Sequence, residues 1–372
     1  MGMAKLRVGV LFGGRSGEHE VSLASARSIM DAMDPDRYEI VPIGITRSGR
    51  WITSRRSLDM LEAAVGSEVS AAEIEARLEA EASPFPDLAA LAELDVIFPV
   101  LHGPYGEDGT VQGLLELIGV PYVGCGVASS AVGMDKALMK ATFAAYGLPQ
   151  VHYRVVLRRD WEADPDRVIR DIEDALPYPM FVKPANLGSS VGITKAHNRD
   201  ELIAGLSEAA RYDRKLIVEE GIDRAREIEC SVLGNDQPEA SLPGEIIPSR
   251  EFYDYAAKYL DNASKLLIPA PISAEQTRLV QELAVAAFKA LDGAGMARVD
   301  FLLSRDDGRI YVNEVNTIPG FTSISMYPKL WEATGLPYPR LIDRLIELAL
   351  ERHADRSRCE TAVGPARDIE HA

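Results

Sequence analysis

Cysteine is scarce in this chain. Its 372 residues include three, Cys125, Cys230 and Cys359, far apart and without a CxxC pair. That spacing speaks against a structural zinc site and points to a reducing compartment, the cytoplasm. Positive charge is also short. The formal net charge of −17 argues against a nucleic-acid partner, while leaving room for a locally basic nucleotide site. No apolar run approaches transmembrane length. The first residues hold no long apolar signal region, and Leu6 breaks the myristoylation pattern, so no membrane role is expected. The GxGxxG dinucleotide fingerprint and the Walker A loop are both missing, as are internal repeats and low-complexity segments. Apolar content is ordinary for a soluble globular protein, and the length predicts two or three domains.

What is present centres on residues 298–325. Two β-rich runs, Arg298 to Ser304 and Arg309 to Asn316, flank the turn signal Asp306-Asp307-Gly308, which predicts a hairpin. Strand side chains alternate faces, so Glu314 and Asn316 share one face and Asp300 lies nearly opposite Glu314. Two carboxylates and an amide oxygen then converge, an oxygen-only donor set that suits Mg²⁺. Arg298, on the face of Asp300, supplies a fixed cation for an anionic substrate or transition state. A solvated acidic strand face is the competing reading.

Upstream, a buried-type strand from Lys5 to Phe12 runs into Gly13-Gly14-Arg15-Ser16-Gly17-Glu18-His19-Glu20-Val21-Ser22 and a helix to about Met33. Such a turn exposes backbone N–H groups at a helix start. Glu20 either caps that helix or holds a substrate ammonium group. Tyr38 to Thr46 reads as the second strand, and a further strand, Leu94 to Leu101, ends in His102-Gly103-Pro104-Tyr105-Gly106-Glu107-Asp108-Gly109, where His102 is either structural or a carboxylate contact. Residues 58–82 read as a peripheral helical stretch without chemistry. Asp135 reads as the N-cap of a helix carrying Lys136 on its first turn, and Trp161 to Leu176 as one helix. Met180 to Ile193 reads as strand, small polar loop, strand. Lys183 just before the loop favours phosphate binding over an ordinary hairpin. Residues 248–265, irregular and tyrosine-rich, read as an active-site lid, Ser273 to Asp292 and Pro337 to Arg352 as helices, and 353–372 as a frayed tail.

Six of these stretches in this order resemble the ATP-grasp superfamily and, within it, the D-alanine–D-alanine ligase family, over residues 5–350 or so. They are 13–22, 102–109, Met134-Asp135-Lys136, Val182 to Gly192, Phe252 to Tyr259, and Asn313 to Ser323. The resemblance implies an α/β chain, α+β in part, with three-domain ATP-grasp architecture and an N-terminal parallel-sheet domain. The expected divisions are 1–130, 131–219 with the phosphate loop, 220–352 with lid and metal site, and the tail 353–372.

The activity it implies is ATP-dependent joining of two D-alanines through a D-alanyl phosphate, for peptidoglycan precursors, in a cytoplasmic homodimer. ATP and D-alanine are the small-molecule partners. Two Mg²⁺ ions, with Mn²⁺ as a substitute, would sit on Asp300, Glu314 and Asn316. The nucleotide would contact Lys136, Lys183, Ser190, Glu219, Glu220, Ile222, Glu227, Lys258 and Asn313. Lys136 and Lys183 take phosphates, Lys258 the transferred phosphoryl group, Glu227 the ribose, and Glu219 lies near adenine. Glu20 and His102 would hold the first substrate, Gly320 and Ser325 the second carboxylate, and Arg298 the acyl phosphate and oxyanion. Ser189, Tyr259 and Glu20 would link loop, lid and N-terminal domain. Tyr259 also matches the dipeptide-forming type rather than relatives that make D-alanyl-D-lactate. The stretch after Glu220 differs in length from some family members. Another ATP-grasp ligase and a non-catalytic nucleotide-binding regulator are the alternatives; retention of the metal ligands and Arg298 speaks against the regulator.

Overall fold

Three sheets follow one another along the chain. The computed structural model describes residues 4–52, 57–59, 61, 80, 82–188, 191–247, 265–322 and 324–360. The first sheet holds β1 (Leu6–Gly13), β2 (Tyr38–Ile45), β3 (Trp51–Ile52) and β4 (Val96–Val100) in the order β3-β2-β1-β4. β1 is parallel to both β2 and β4. A parallel strand is covered on both faces and so is apolar on both. Leu11 accordingly packs with Leu91, Val111 and Leu115, from α2 (Leu88–Ala92) and α3 (Thr110–Ile118). Val8, Val10 and Phe12 pack the other way, against Leu23, Ala26 and Ile29 of α1 (His19–Ala32). The last helix of the chain shares that second core through Leu341, Leu345 and Leu348.

Two helices, α4 (Val127–Met134) and α5 (Lys136–Ala145), lead into the second sheet. As the sequence predicts, Asp135 caps α5 by accepting from Ala137 and Leu138 N–H groups. The sheet is antiparallel throughout, in the order β5-β8-β6-β7: β5 (Tyr153–Leu157), β6 (Met180–Pro184), β7 (Thr194–Ala196) and β8 (Lys215–Glu220). The single helix expected over 161–176 is two, α6 (Arg158–Ala163) and α7 (Pro165–Glu173). Pro165 cannot donate within a continuing helix, and Asp164 caps the new one by accepting from Arg167 N–H. With α8 (Arg199–Ala209) these helices bury a separate core around Trp161, Ile169, Val182, Leu206 and Val218.

The third sheet has β9 (Arg226–Gly234) near its centre, with β10 (Glu239–Ala240), β11 (Gly244–Ile247), β12 (Lys265–Leu267), β13 (Gly295–Leu303) and β14 (Ile310–Asn316). Its main order is β12-β11-β9-β13-β14, all antiparallel. Helix α9 (Ala274–Ala290) opens with a Ser273/Gln276 capping box and covers one face through Val280, Ala284, Ala287 and Phe288.

α10 (Met326–Thr334), which sequence periodicity did not single out, follows the third sheet. α11 (Tyr338–Arg356) then runs past residue 353, where a frayed tail was expected. Its end is tied down. The Arg352 guanidinium donates to Tyr122 and Gly124 carbonyls and lies 4.3 Å from the Tyr122 ring centroid. Arg356 pairs with Glu116. Nearer its start, Asp343 accepts from Tyr38 and pairs with Arg37. The expected lid, 248–264, most of the 58–82 stretch, and residues 361–372 lie outside the described residues.

Candidate active site

The β13–β14 hairpin forms one wall of a cleft against the second sheet. Asp300 pairs directly with Glu314, as strand alternation predicts, and Arg298 pairs with Asn316. This arrangement depends on a feature the alternation does not contain. The register jumps between Asp300 and Phe301, leaving Asn313 as an extra residue in β14. Val312 is buried in the core beneath the sheet, and two residues on Glu314 would share its face in an unbroken strand. The bulge inverts that phase. It sends Val315 into the core, and Glu314 and Asn316 to the half-buried cleft side. The signal was present in the sequence as apolar residues at 310, 312 and then 315.

Arg298 grips Asp300 with a two-pronged contact, Nε to Oδ1 and Nη2 to Oδ2, each 2.7 Å. Its Nε is also 3.0 Å from Glu229, a buried acid that sequence reading passed over. Burial opposes the guanidinium charge, but Asp300 and Glu229 outweigh it and hold its pKa well above the usual arginine value. Asn316 Nδ2 donates to Asp300 Oδ2 at 3.0 Å, leaving its amide oxygen as an acceptor. Asp300 Oδ2 thus accepts from both Arg298 and Asn316. Asp300, Glu314 and Asn316 therefore offer only oxygen donors, packed close together beside fixed cations. This set fits a hard divalent ion.

Lysines furnish the facing wall. Lys136 Nζ donates to the Leu187 carbonyl at 2.9 Å and lies 3.7 Å from Glu314 Oε2. It begins α5, whose first N–H donates to the Ala185 carbonyl, so helix and glycine loop are stitched together. Lys183 Nζ is 2.5 Å from Glu219 Oε2, and Lys140 Nζ is 3.2 Å from Glu219 Oε1. Glu219 is thus clasped by two lysines, an arrangement beyond the expected placement near adenine. Burial would raise its carboxyl pKa, but Lys140 and Lys183 bring it down to about 2. For Lys183, burial is outweighed by the charges of Glu219, Glu314 and Glu227, and its pKa is raised. Glu227 is half-buried on β9, opposite Leu302 of β13.

The N-terminal loops approach from a third side. Glu18 is 9% exposed, and its Oε2 lies only 3.1 Å from where a Cβ at Gly188 would stand, against the glycine loop. His102 is buried and its Nδ1 is 3.0 Å from the Ile318 carbonyl oxygen. Glu107 accepts from Gly103 N–H at 2.7 Å and from Ile318 N–H at 3.4 Å. One residue of the loop leaving β14, Ile318, is therefore held through both its N–H and its carbonyl by the His102–Glu107 segment. Desolvation, then the Glu18 charge, push the Glu107 carboxyl up to about 8, against the pull of those two donors. Along the same loop, a Cβ at Gly320 would meet Ser325 Oγ at 2.8 Å, so these two residues lie side by side. Ser325 Oγ accepts from Thr322 N–H at 3.0 Å at the start of α10.

Some expected residues are elsewhere. Glu20 forms an ion pair with Arg47 and has a 40% exposed side chain, while Glu18, two residues earlier, occupies the position against the loop. The reason is helical geometry: Glu20 is already inside α1 and points along its outer side, whereas Glu18 precedes the first turn. Burial raises the Glu20 carboxyl, yet its own backbone N–H and Arg47 leave it below the ordinary value. Glu220 accepts from His152 Nδ1 at 2.8 Å, on the strand face opposite Glu219. Ile222 is half-buried in the link between the second and third sheets. Ser189, Ser190, Lys258 and Tyr259 lie outside the described residues.

Comparison with known proteins bears on this geometry. The model of the D-ala D-ala ligase N-terminus matches residues 7–125, and that of the D-ala D-ala ligase C-terminus matches 142–347. The chain belongs to the D-alanine–D-alanine ligase family. It is therefore a ligase. A D-alanine–D-alanine ligase from Heliobacterium modesticaldum is 55% identical, covering 96% of this chain and 98% of the relative. One from Natranaerobius thermophilus is 51% identical over 96% and 99%. Among solved structures, the D-alanine–D-alanine ligase from Coxiella burnetii is 41% identical with a TM-score of 0.77, over 95% of this chain and 96% of that one. The VanG D-Ala:D-Ser ligase from Enterococcus faecalis is 37% identical with a TM-score of 0.79, over 93% and 100%. The mixed α/β architecture is that of these ATP-grasp neighbours. Among the described residues no helix is long and apolar enough to cross a membrane.

Proposed function

We propose that this protein joins two molecules of D-alanine at the expense of ATP, forming D-alanyl-D-alanine for peptidoglycan precursors, with ADP and phosphate released. The observation that carries this reading is the facing pair of walls: buried lysines opposite Arg298, Asp300, Glu314 and Asn316, closed at one end by Glu18 and His102. A polyanion with a reacting carboxylate fits such a cleft.

In the proposed sequence a carboxylate oxygen of the first D-alanine attacks the γ-phosphorus of ATP, and the bond to ADP breaks. The amine of the second D-alanine then attacks the acyl-phosphate carbon and loses a proton. Collapse of the tetrahedral intermediate expels phosphate and leaves the amide bond. Lys136 and Lys183 hold the phosphates, and Glu227 takes the ribose. Arg298 steadies the charge that develops on the acyl phosphate and the oxyanion. Asp300, Glu314 and Asn316 would hold the Mg²⁺ ions, two in number and replaceable by Mn²⁺, which when bound neutralise phosphate charge. Glu18, in place of Glu20, and His102 receive the first substrate; Gly320 and Ser325 receive the second carboxylate. Ser189, Tyr259 and Lys258 are proposed to close the site over the intermediate. The divisions near residues 130 and 219, a cytoplasmic location and a homodimer complete the reading.

The test is phosphate release from Mg-ATP with D-alanine, L-alanine, D-alanine plus D-serine, D-alanine plus D-lactate, or no amino acid, with mass detection of products. Release with D-alanine alone, giving D-alanyl-D-alanine, is expected. A preference for a mixed product with D-serine or D-lactate would keep the chemistry and overturn the second substrate. Absence of release in every arm would overturn the reading.

A further inference from the structure

Lys140 has no part in the roles assigned above, yet it is the most deeply buried lysine at the cleft, with none of its surface exposed. It stands one helical turn beyond Lys136 on α5, so both project from the same side of that helix. Its ammonium lies 3.2 Å from Glu219 Oε1 and 5.7 Å from the Tyr153 ring centroid. The contact with Glu219 is a buried ion pair. A buried lysine costs several kcal/mol of lost hydration unless it is compensated, so this one calls for an explanation.

The stoichiometry supplies it. Glu219 is a single carboxylate shared between two ammonium groups, one oxygen to each. Strand register puts Glu219 opposite Phe181, so Lys183, two residues on, is its diagonal neighbour on the same face. Were Lys183 the only cation within reach, both oxygens of Glu219 would turn to it and cancel its charge. With Lys140 beside Oε1, Glu219 is drawn partly away from Lys183; burial pulls the Lys140 pKa down against the Glu219 charge, so the contact serves Glu219 rather than carrying a free cation.

We propose that Lys140 is a positioning residue: by holding one oxygen of Glu219, it keeps the Lys183 ammonium available to the phosphates of a bound nucleotide. The inference rests on the proposal that the cleft binds ATP. It differs from direct ligand contact in its signature. Loss of Lys140 should weaken ligands in proportion to their phosphate charge and leave the nucleoside portion untouched.

Lys140→Met tests this. Methionine fills similar volume, and the variant retains a balanced Glu219–Lys183 pair, which favours folding. Binding of ADP is measured by calorimetry and binding of adenosine by ligand-observed NMR, in wild type and variant. The expected result is ADP weakened about tenfold with adenosine changed less than about twofold. In steady state, KM for ATP should rise about tenfold while kcat and KM for D-alanine stay within about twofold. Equal weakening of adenosine and ADP, or unchanged ADP binding beside a wild type that binds it, overturns the inference alone. A wild type that binds no ADP overturns the proposed function as well. If Lys140→Met does not fold, Lys140→Gln supports the same contrast, read the same way.

Discussion

Replacing Glu219 by glutamine should unbalance the second sheet, and the cost should depend on pH in a defined way. The carboxylate is 3% exposed and is the shared counter-ion of Lys140 and Lys183. Its removal leaves two buried ammonium groups facing an uncharged amide. Breaking a buried ion pair by removing one partner costs about 3–5 kcal/mol. A second route gives a similar figure. Holding the carboxyl at about 2 rather than 4.5 is equivalent to about 3 kcal/mol of stability at neutral pH. Because the folded pKa is depressed, this contribution is complete above the unfolded value and is lost as pH falls toward 2. About 2 kcal/mol of it should be gone by pH 3. The assay is urea unfolding of wild type and Glu219→Gln at several pH values, followed by tryptophan fluorescence. Urea avoids the screening that guanidinium would bring, and Trp161 lies in the core beneath the same sheet. The stability gap should be about 3 kcal/mol at pH 7 and about 1 kcal/mol at pH 3. A gap that is constant from pH 6 to pH 3 would falsify the assignment of that energy to the carboxylate.

Four other outcomes are expected. Arg298→Ala should retain nucleotide binding within about threefold but lose turnover by about 10² or more, since its charge acts on the developing oxyanion; wild-type-like kcat would remove it from the mechanism. Glu18→Gln should raise KM for the first D-alanine about tenfold or more, whereas Glu20→Gln should change it less than about threefold; the reverse ranking would restore Glu20 to the site. Chelation with EDTA should abolish phosphate release and Mg²⁺ should restore it, while Glu314→Gln should raise the Mg²⁺ concentration needed; insensitivity to chelator would count against the oxygen cluster as a metal site. Deleting Asn313 should straighten β14 and turn Glu314 toward the core, so soluble, folded protein with normal turnover would disprove the role given to the bulge.

Much of this site was legible along the chain because strands and turns obey short-range rules. The predicted hairpin set Asp300 nearly opposite Glu314, where the bulge at Asn313 brings it, and Asp306-Asp307-Gly308 marked the turn, where Gly308 takes φ 71°. Capping chemistry placed Asp135 at the start of α5. What escaped was decided by packing between distant segments. Glu18 and Glu20 are equivalent by residue type; the start of α1 between them and the docking of the first loop on Gly188 separate them. The Glu219 clasp joins three elements, α5, β6 and β8, whose lysines looked like independent surface or phosphate residues. The proline at 165 was visible, but a continuous amphipathic run concealed the helix break. Arg356 reads as part of a frayed end because its partner, Glu116, lies more than two hundred residues earlier.

The closure of the first sheet by the last helix has a consequence for the order of events during synthesis. Val8, Val10 and Phe12 leave the ribosome more than three hundred residues ahead of their partners Leu341, Leu345 and Leu348. The parallel sheet can gather α1 and its outer helices early, but part of its inner face stays wet until those partners have emerged. The second sheet, with a core drawn entirely from residues 156–218, carries no such delay and can finish first. A ribosome stalled before α11 would therefore present a mature middle and an unfinished beginning, and the beginning is where chaperones would be expected to bind.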